Sequence, residues 1–345
     1  MTHFQTDTIP IDDAPRYVEE LSKNWLWHGY LHPGDVTLLT SPWKTGKTTL
    51  LTGLLRRLQT GGTFLDQALR PGRALIVSEE SRAQWAERVR QTPIGQHVQL
   101  LSRPFRGRPN PDEWNELVDH ALESRQHSGL DLFVVDPLAS FLPGRCESDA
   151  ATLLEMLQPL HRLAVEGVAV LLLHHPRKKP SEPGASARGS GALLGFVDII
   201  LELNAFGRLK TDLCRRQIIA LSRKPDTPAR LAFDWNPHTG EFTSLGDPFT
   251  VQFEENWNQV LAILKKRRVA ATHHELLSDW PPDQENPSPS ALYRWLNQAH
   301  ANNRVGREGN GTKGDPWRYR LKIKNDAYDD LPPLKPLIGM GVNED

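Results

Sequence analysis

The stretch LLTSPWKTGKTTLL, residues 38–51, runs from an apolar segment through a short polar loop into a helix-like pattern. A strand, the loop Ser41, Pro42, Trp43, Lys44, Thr45, Gly46, Lys47, Thr48, Thr49, and an immediate helix together have a physical task. Consecutive backbone N–H groups wrap an anion, and the helix turns its positive end toward it. Gly46 lets the backbone come close, Lys47 brings a point charge, and Thr48 brings a hydroxyl. Position 41 is Ser where this pattern opens with Gly. Serine is small, and replaces glycine wherever φ is negative. The competing reading is an ordinary strand-to-helix turn that happens to contain Gly-Lys-Thr.

The Gly46-Lys47-Thr48 end matches the phosphate-binding loop of nucleotide hydrolases: Lys47 reaches the β- and γ-phosphates of ATP, and Thr48 offers its hydroxyl to Mg²⁺. About 90 residues later, LDLFVVDPLASFL ends its apolar run at Asp136, where a carboxylate holds Mg²⁺ beside the loop. Between the two lies ALIVSEES, with Glu79 and Glu80 after another apolar run. A carboxylate there polarises the water that attacks the γ-phosphate. Glu79, nearer the strand end, is assigned as this base; Glu80 is the alternative, and either also suits the first turn of a helix, where negative charge is favourable.

The surrounding pattern sets the fold class. From Asp35 to about Leu245, short apolar runs alternate with helix-like segments. The strand candidates are DVTLLTS, RALIVSE, HVQLLSR, LDLFVVD, VAVLLLHH, VDIILEL, RRQIIALS and ARLAFDW. Several are unbroken Val/Ile/Leu runs, which suit strands buried on both faces. The expectation is an α/β fold with a mostly parallel, twisted sheet flanked by helices. Residues 174–191, rich in Pro, Gly, Ser and basic residues, read as a loop after a strand.

Beyond Phe249 the pattern changes. EENWNQVLAILKKRR, THHELLSDW and SPSALYRWLNQAHAN read as helices, with Thr272 and either Ser288 or Ser290 as caps. RVGREGNGTKGDPWRYRLKI reads as a hairpin, so that three helices and a hairpin describe a winged helix-turn-helix. The domain expectation is an N-terminal extension over 1–30 with a helical candidate APRYVEELSKNWL, an ATPase domain over 31–247, a winged-helix-like domain over 250–324, and a tail over 325–345.

Composition bounds the partners. The formal charge of −1 over 345 residues excludes a polycation, so any nucleic-acid surface is a local patch. Residues 250–324 supply one, with a net charge of roughly +4 concentrated in Lys265–Arg268 and in Arg304, Arg307, Lys313, Arg318 and Arg320. Tyr293, Arg294, Asn297 and Gln298 on the third helix suit a major groove, although a domain of this kind also binds proteins or packs on its own ATPase. The two cysteines, Cys146 and Cys214, lack neighbours at zinc spacing, and no apolar run is long enough to span a membrane; the expectation is a cytoplasmic protein.

Taken together, residues 25–236 resemble a RecA-type ATPase, in particular the AAA-domain / RepA-like group of hexameric, helicase-related ATPases. The resemblance rests on WLWHGYLHPGDVTLLTSPWKTGKTTLL, the SEES strand end, VVDPLASFLPG, LLLHHPRK, ARGSGALLGFVDIILEL and IIALSRKPDTPARLAF. It implies a γ-phosphate sensor at His174 or His175, with His175 preferred, and a basic ARGSGALLG loop at a pore or subunit contact that meets nucleic acid. It also implies that Arg223 reaches a neighbouring subunit's γ-phosphate, although the Lys-x-Arg pair of ring-forming relatives is here Ser222 and Arg223 with Lys224 following. The function implied is a Mg²⁺-dependent ATP hydrolase, a ring-forming homo-oligomer acting on DNA as a helicase or replication motor. The alternative is a nucleotide-switched DNA-binding regulator with little turnover; a small-molecule kinase fits the strand alternation less well.

Overall fold

The apolar runs that end at Thr40, Ser78, Asp136 and His174 are strands buried on both faces. The structure is a computed structural model that describes residues 23–143, 149–175, 191–207, 214–267, 269–282 and 284–322. The chain divides into two compact units, Met1–Val251 and Gln252–Asp345. Most of the APRYVEELSKNWL candidate, Cys146, residues 176–190, Arg268 and the tail lie outside the described residues.

The first unit begins with β1 (Val36–Thr40), α1 (Lys47–Leu58), the hairpin β2 (Gly62–Phe64) and β3 (Gln67–Leu69), β4 (Arg73–Ser78), α2 (Arg82–Gln91), β5 (Val98–Ser102) and α3 (Pro111–Ser128). It continues with β6 (Leu130–Asp136), α4 (Leu138–Phe141), α5 (Ala150–Leu157), α6 (Pro159–Val165), β7 (Ala169–His174) and α7 (Gly191–Phe196). Four further strands close it: β8 (Ile199–Ala205), β9 (Arg215–Ser222), β10 (Arg230–Trp235) and β11 (Phe242–Gly246).

Nine strands form one sheet in the order β11-β10-β9-β8-β1-β7-β6-β4-β5. The pairs from β5 through β8 are parallel, and those from β8 to β11 are antiparallel. The α/β class and large, mostly parallel sheet are as expected, with an antiparallel edge that the runs did not announce. Successive residues of β6 and β7 enter opposite cores: Leu132, Val134 and Leu171 pack with Leu51 and Leu55 of α1, whereas Phe133, Val135 and Leu172 pack with Trp114 and Val118 of α3. Burial on both faces is why these strands are unbroken apolar runs. Each fully buried Leu or Phe contributes about 1.5–3 kcal/mol.

The register brings strand ends together. Thr40 pairs with His174 on one side and Glu202 on the other, and Ser78 pairs with Asp136. The residues that leave these strands therefore share one rim, the carboxyl end of a parallel sheet, where α/β folds bind ligands.

The second unit contains most of α8 (Pro248–Arg267), then β12 (Ala271–Thr272), α9 (His273–Ser278), α10 (Pro289–Ala301), β13 (Val305–Glu308) and β14 (Arg318–Leu321). Thr272 and Glu275 form a reciprocal capping box at the start of α9, and Ser288 caps α10. Trp257, Leu264, Leu276, Leu296, Val305 and Tyr319 fill its core. The strands form a three-stranded sheet in the order β12-β14-β13.

Candidate functional site

The loop after β1 and the start of α1 form one wall of a cavity of about 390 Å³. Gly46 adopts φ 103°, a left-handed conformation that favours glycine, immediately before the first residue of α1. Ser41 is absent from the described residues with positive φ, so its backbone conformation is open to any L-residue, and serine stands there without strain. Its hydroxyl donates to the Pro42 carbonyl and lies 2.9 Å from Lys47 Nζ.

Lys47 is 5% exposed, and its ammonium also donates to His175 Nδ1 at 2.9 Å. Burial brings the Lys47 pKa down to about 8, with the Asp136 charge opposing that shift. His175 is held below its usual value by burial and then by the Lys47 charge, so a neutral imidazole accepts this hydrogen bond. In the same cavity, Thr48 Oγ1 donates to Asp136 Oδ2 at 3.1 Å. Burial pushes the Asp136 carboxyl up to about 6, against the Thr48 hydrogen bond, with Glu80 reinforcing it.

Glu79 and Glu80 both line the cavity but differ in their bonds. The Glu80 carboxylate accepts two hydrogen bonds from the Arg88 guanidinium, at 2.7 and 2.6 Å. The Glu79 carboxylate accepts from Ser140 Oγ on α4, while Arg103 holds the Glu79 carbonyl. A Ser81–Gln84 capping box starts α2, and buried Trp85 donates to Ser78 Oγ. Those two anchors carry Arg88 to the cavity wall.

The expected loop, Glu79, Asp136 and His175 are thus together at one cavity. Arg223 is elsewhere. It follows β9, whose last residue, Ser222, pairs with Ile199 at the beginning of β8, whereas Arg216 pairs with Ala205 at the end. At about 3.3 Å per residue, roughly 20 Å of sheet separates Arg223 from its own loop's rim. Arg223 is exposed, while Lys224, considered as its substitute, forms an ion pair with Asp35 at 3.0 Å. The ARGS part of the basic loop lies outside the described residues, and its GALLG part begins α7 at Gly191.

Arg88, Ser140 and Arg216 were not singled out from the sequence. Only the chain's return past the loop brings them near it; Arg216, for example, donates to the carbonyl of Thr45, 171 residues away.

The donor set fits a hard cation. A buried carboxylate with a raised pKa and a hydroxyl stand together at Asp136 and Thr48, and oxygen donors of this kind suit Mg²⁺. Among the described residues no three His, Cys, Asp or Glu form a metal cluster. An ion at Asp136 and Thr48 would complete its shell with water and phosphate oxygens, as Mg²⁺ commonly does. Among the described residues, no helix is long and apolar enough to cross a membrane.

Residues 10–181 match a family model described as an AAA domain. No curated protein matches the chain. The matched range contains the loop, Glu79, Glu80, Asp136 and His175; β8–β11 and the second unit lie beyond it. Residues 10–181 are thus an AAA domain of the P-loop type.

Proposed function

We propose that this P-loop ATPase is a Mg²⁺-dependent, oligomeric hydrolase that acts on DNA as a helicase or replication-related motor. The observation that carries the hydrolytic reading is the Thr48–Asp136 hydrogen bond of 3.1 Å in the cavity that also holds Lys47 and Glu79. Lys47 is the cation for the β- and γ-phosphates. Glu79 accepts a proton from the attacking water while Ser140 holds its carboxylate in place. Glu80, engaged by Arg88, is the less available base. His175 releases Lys47 to the nucleotide and faces its terminal phosphate. Mg²⁺ at Thr48 and Asp136 would neutralise phosphate charge that develops as the bond breaks.

The DNA and oligomer parts of the proposal rest on separate features. Arg223 is exposed at the rim of the sheet opposite its own loop, which supports a role toward a neighbouring subunit. We read the second unit as a winged helix, with α10 as the groove-facing helix: Tyr293, Arg294 and Gln298 are exposed along it. Several basic residues expected at DNA have other partners. Arg304 pairs with Glu254, Arg320 with Glu308, and Arg307 stacks on Trp317. Exposed Arg294, Lys313, Lys265 and Lys266 are therefore the better phosphate contacts.

That polar α10 face also favours a second reading, a nucleotide-switched regulator that binds duplex DNA. ATP turnover measured with and without single-stranded DNA, together with native mass measurement in ATP, separates the two. Stimulated turnover by an oligomer supports the motor. Tight duplex binding by a chain with negligible, unstimulated turnover supports the regulator and overturns the motor.

A further inference from the structure

The phosphate loop is a partition with a cavity on each side. Lys44, Thr45, Gly46 and Thr49 line both the larger cavity and a second one of about 120 Å³. The second is walled by β8–β11 side chains, including Leu203, Phe233, Trp235 and Phe242, and it contains Arg216. Arg216 Nε donates to the Thr45 carbonyl at 2.7 Å, and its Nη1 donates to the Arg215 carbonyl at 2.8 Å. Arg215 is buried and paired with Asp234 at 2.9 Å, which fixes the start of the strand. The arginine thus meets the loop from behind, across from Lys47, Asp136 and Glu79.

Peptide planarity turns this contact into a prediction. In a trans peptide the C=O of one residue and the N–H of the next point in opposite directions. A Thr45 carbonyl held toward β9 directs the Gly46 N–H away from β9, to the side where the larger cavity lies. The left-handed Gly46 then carries the chain into α1. A charge-assisted bond beside apolar walls is weakly screened and holds one orientation firmly.

Resting on the ATPase reading above, we propose that Arg216 is a positioning residue for phosphate binding, a brace that sets the Thr45–Gly46 peptide for the nucleotide without touching it. The brace acts on the loop's cradle and leaves Glu79 and Asp136 alone. Its loss therefore weakens ATP and ADP binding by similar factors and leaves turnover at saturation nearly unchanged.

The test uses the full chain with Arg216→Gln and Arg216→Lys, folded as judged by thermal melting. ATP and ADP affinities, KM and kcat are measured, along with tryptic cleavage after Lys44. In Arg216→Gln both affinities are expected to fall by about 10–100-fold, the range for a hydrogen bond to a charged group. KM rises with them and kcat holds. Cleavage after Lys44 increases without nucleotide and is suppressed by saturating ADP. Arg216→Lys, which keeps a cationic donor, recovers part of the affinity. Unchanged affinity and cleavage in Arg216→Gln would overturn the brace, as would a fall in kcat alone or a Lys variant no better than Gln. If the wild-type chain binds neither ATP nor ADP, or binds them equally well as Lys47→Ala, the nucleotide reading itself fails and the brace with it. Normal wild-type binding with an unaffected Arg216→Gln rejects the brace alone.

Discussion

Lys47 Nζ stands 2.9 Å from both His175 Nδ1 and Ser41 Oγ, so the buried ammonium of the loop is held by neutral groups. Burial drives the Lys47 pKa down to about 8, neither partner supplies a charge against it, and the Asp136 charge opposes it only in part. Phosphate binding requires the protonated form, and Mg²⁺ binding requires ionised Asp136, whose carboxyl titrates near 6. The profile of kcat/KM, which reports the free protein's groups, should rise as pH passes about 6 and fall beyond about 8. Calorimetry above pH 8 in buffers of different ionisation enthalpy should detect proton uptake when ATP binds. A flat profile from pH 5 to 9 would count against both assignments.

Asp136→Asn should abolish Mg²⁺-dependent turnover and also stabilise the fold. The folded carboxyl has a raised pKa, so its burial costs stability that appears as pH rises from the unfolded value through about 6, and the full cost is present at pH 7. Removing the charge should recover about 1–3 kcal/mol, since one pKa unit corresponds to about 1.4 kcal/mol. Thermal melts at pH 4 and pH 7 check the sign: the gain should appear at pH 7 and shrink at pH 4.

Glu79→Gln should retain ATP binding and lose hydrolysis by about 10²–10⁴-fold, the usual range for a general base. Ser140→Ala should lower kcat more modestly with KM preserved, because it removes a hydrogen bond to the same carboxylate. Glu80→Gln breaks the Arg88 pair and should spare most turnover. Single-turnover measurements on the three variants rank them. An inactive Glu80→Gln beside an active Glu79→Gln would reverse the assignment.

Arg223→Ala should bind ATP and hydrolyse it poorly, by up to about 10³–10⁵-fold for a full arginine finger. Mixing it with Lys47→Ala subunits should restore activity where an intact loop meets an intact arginine. Differently tagged chains reveal whether subunits exchange. Exchange without rescue would remove Arg223 from the neighbour's site.

Arg294→Ala combined with Lys313→Ala should weaken DNA binding across sequences and lower the salt slope by about 1 per lost phosphate contact. Arg320→Ala, which removes a residue already paired with Glu308, should do much less. Salt titrations of binding distinguish these outcomes, and equal affinity in the double variant would favour a protein partner for this unit.

All eight proposed strands are present, because burial on two faces writes itself locally as unbroken apolar runs. Strand direction does not. The antiparallel path from β8 through β11 looks, residue by residue, like the parallel strands before it. The hairpin β2–β3 and strand β11 are too short or too polar to stand out: Gly62 and Thr63 are exposed. At the site, Lys47, Thr48, Glu79 and Asp136 were legible because each occupies a fixed place relative to a strand end. Ser140 and Arg216 were not, since their significance lies in contacts across 61 and 171 residues. Even the serine at position 41 is explained only by its backbone conformation and its bond to Lys47.

The central place of β1 has a consequence for biosynthesis. Its neighbours begin at Ala169 and Ile199, although β1 itself begins at Val36. A nascent chain that has just released β1 from the ribosome has no partner for either edge, and must hold an unpaired apolar strand until β7 and β8 emerge. Pairing at such sequence separation is slow and exposes the strand to other chains. A truncated product ending after β6 would retain the loop's residues yet leave both edges of its supporting strand open, a template for aggregation in place of a nucleotide site.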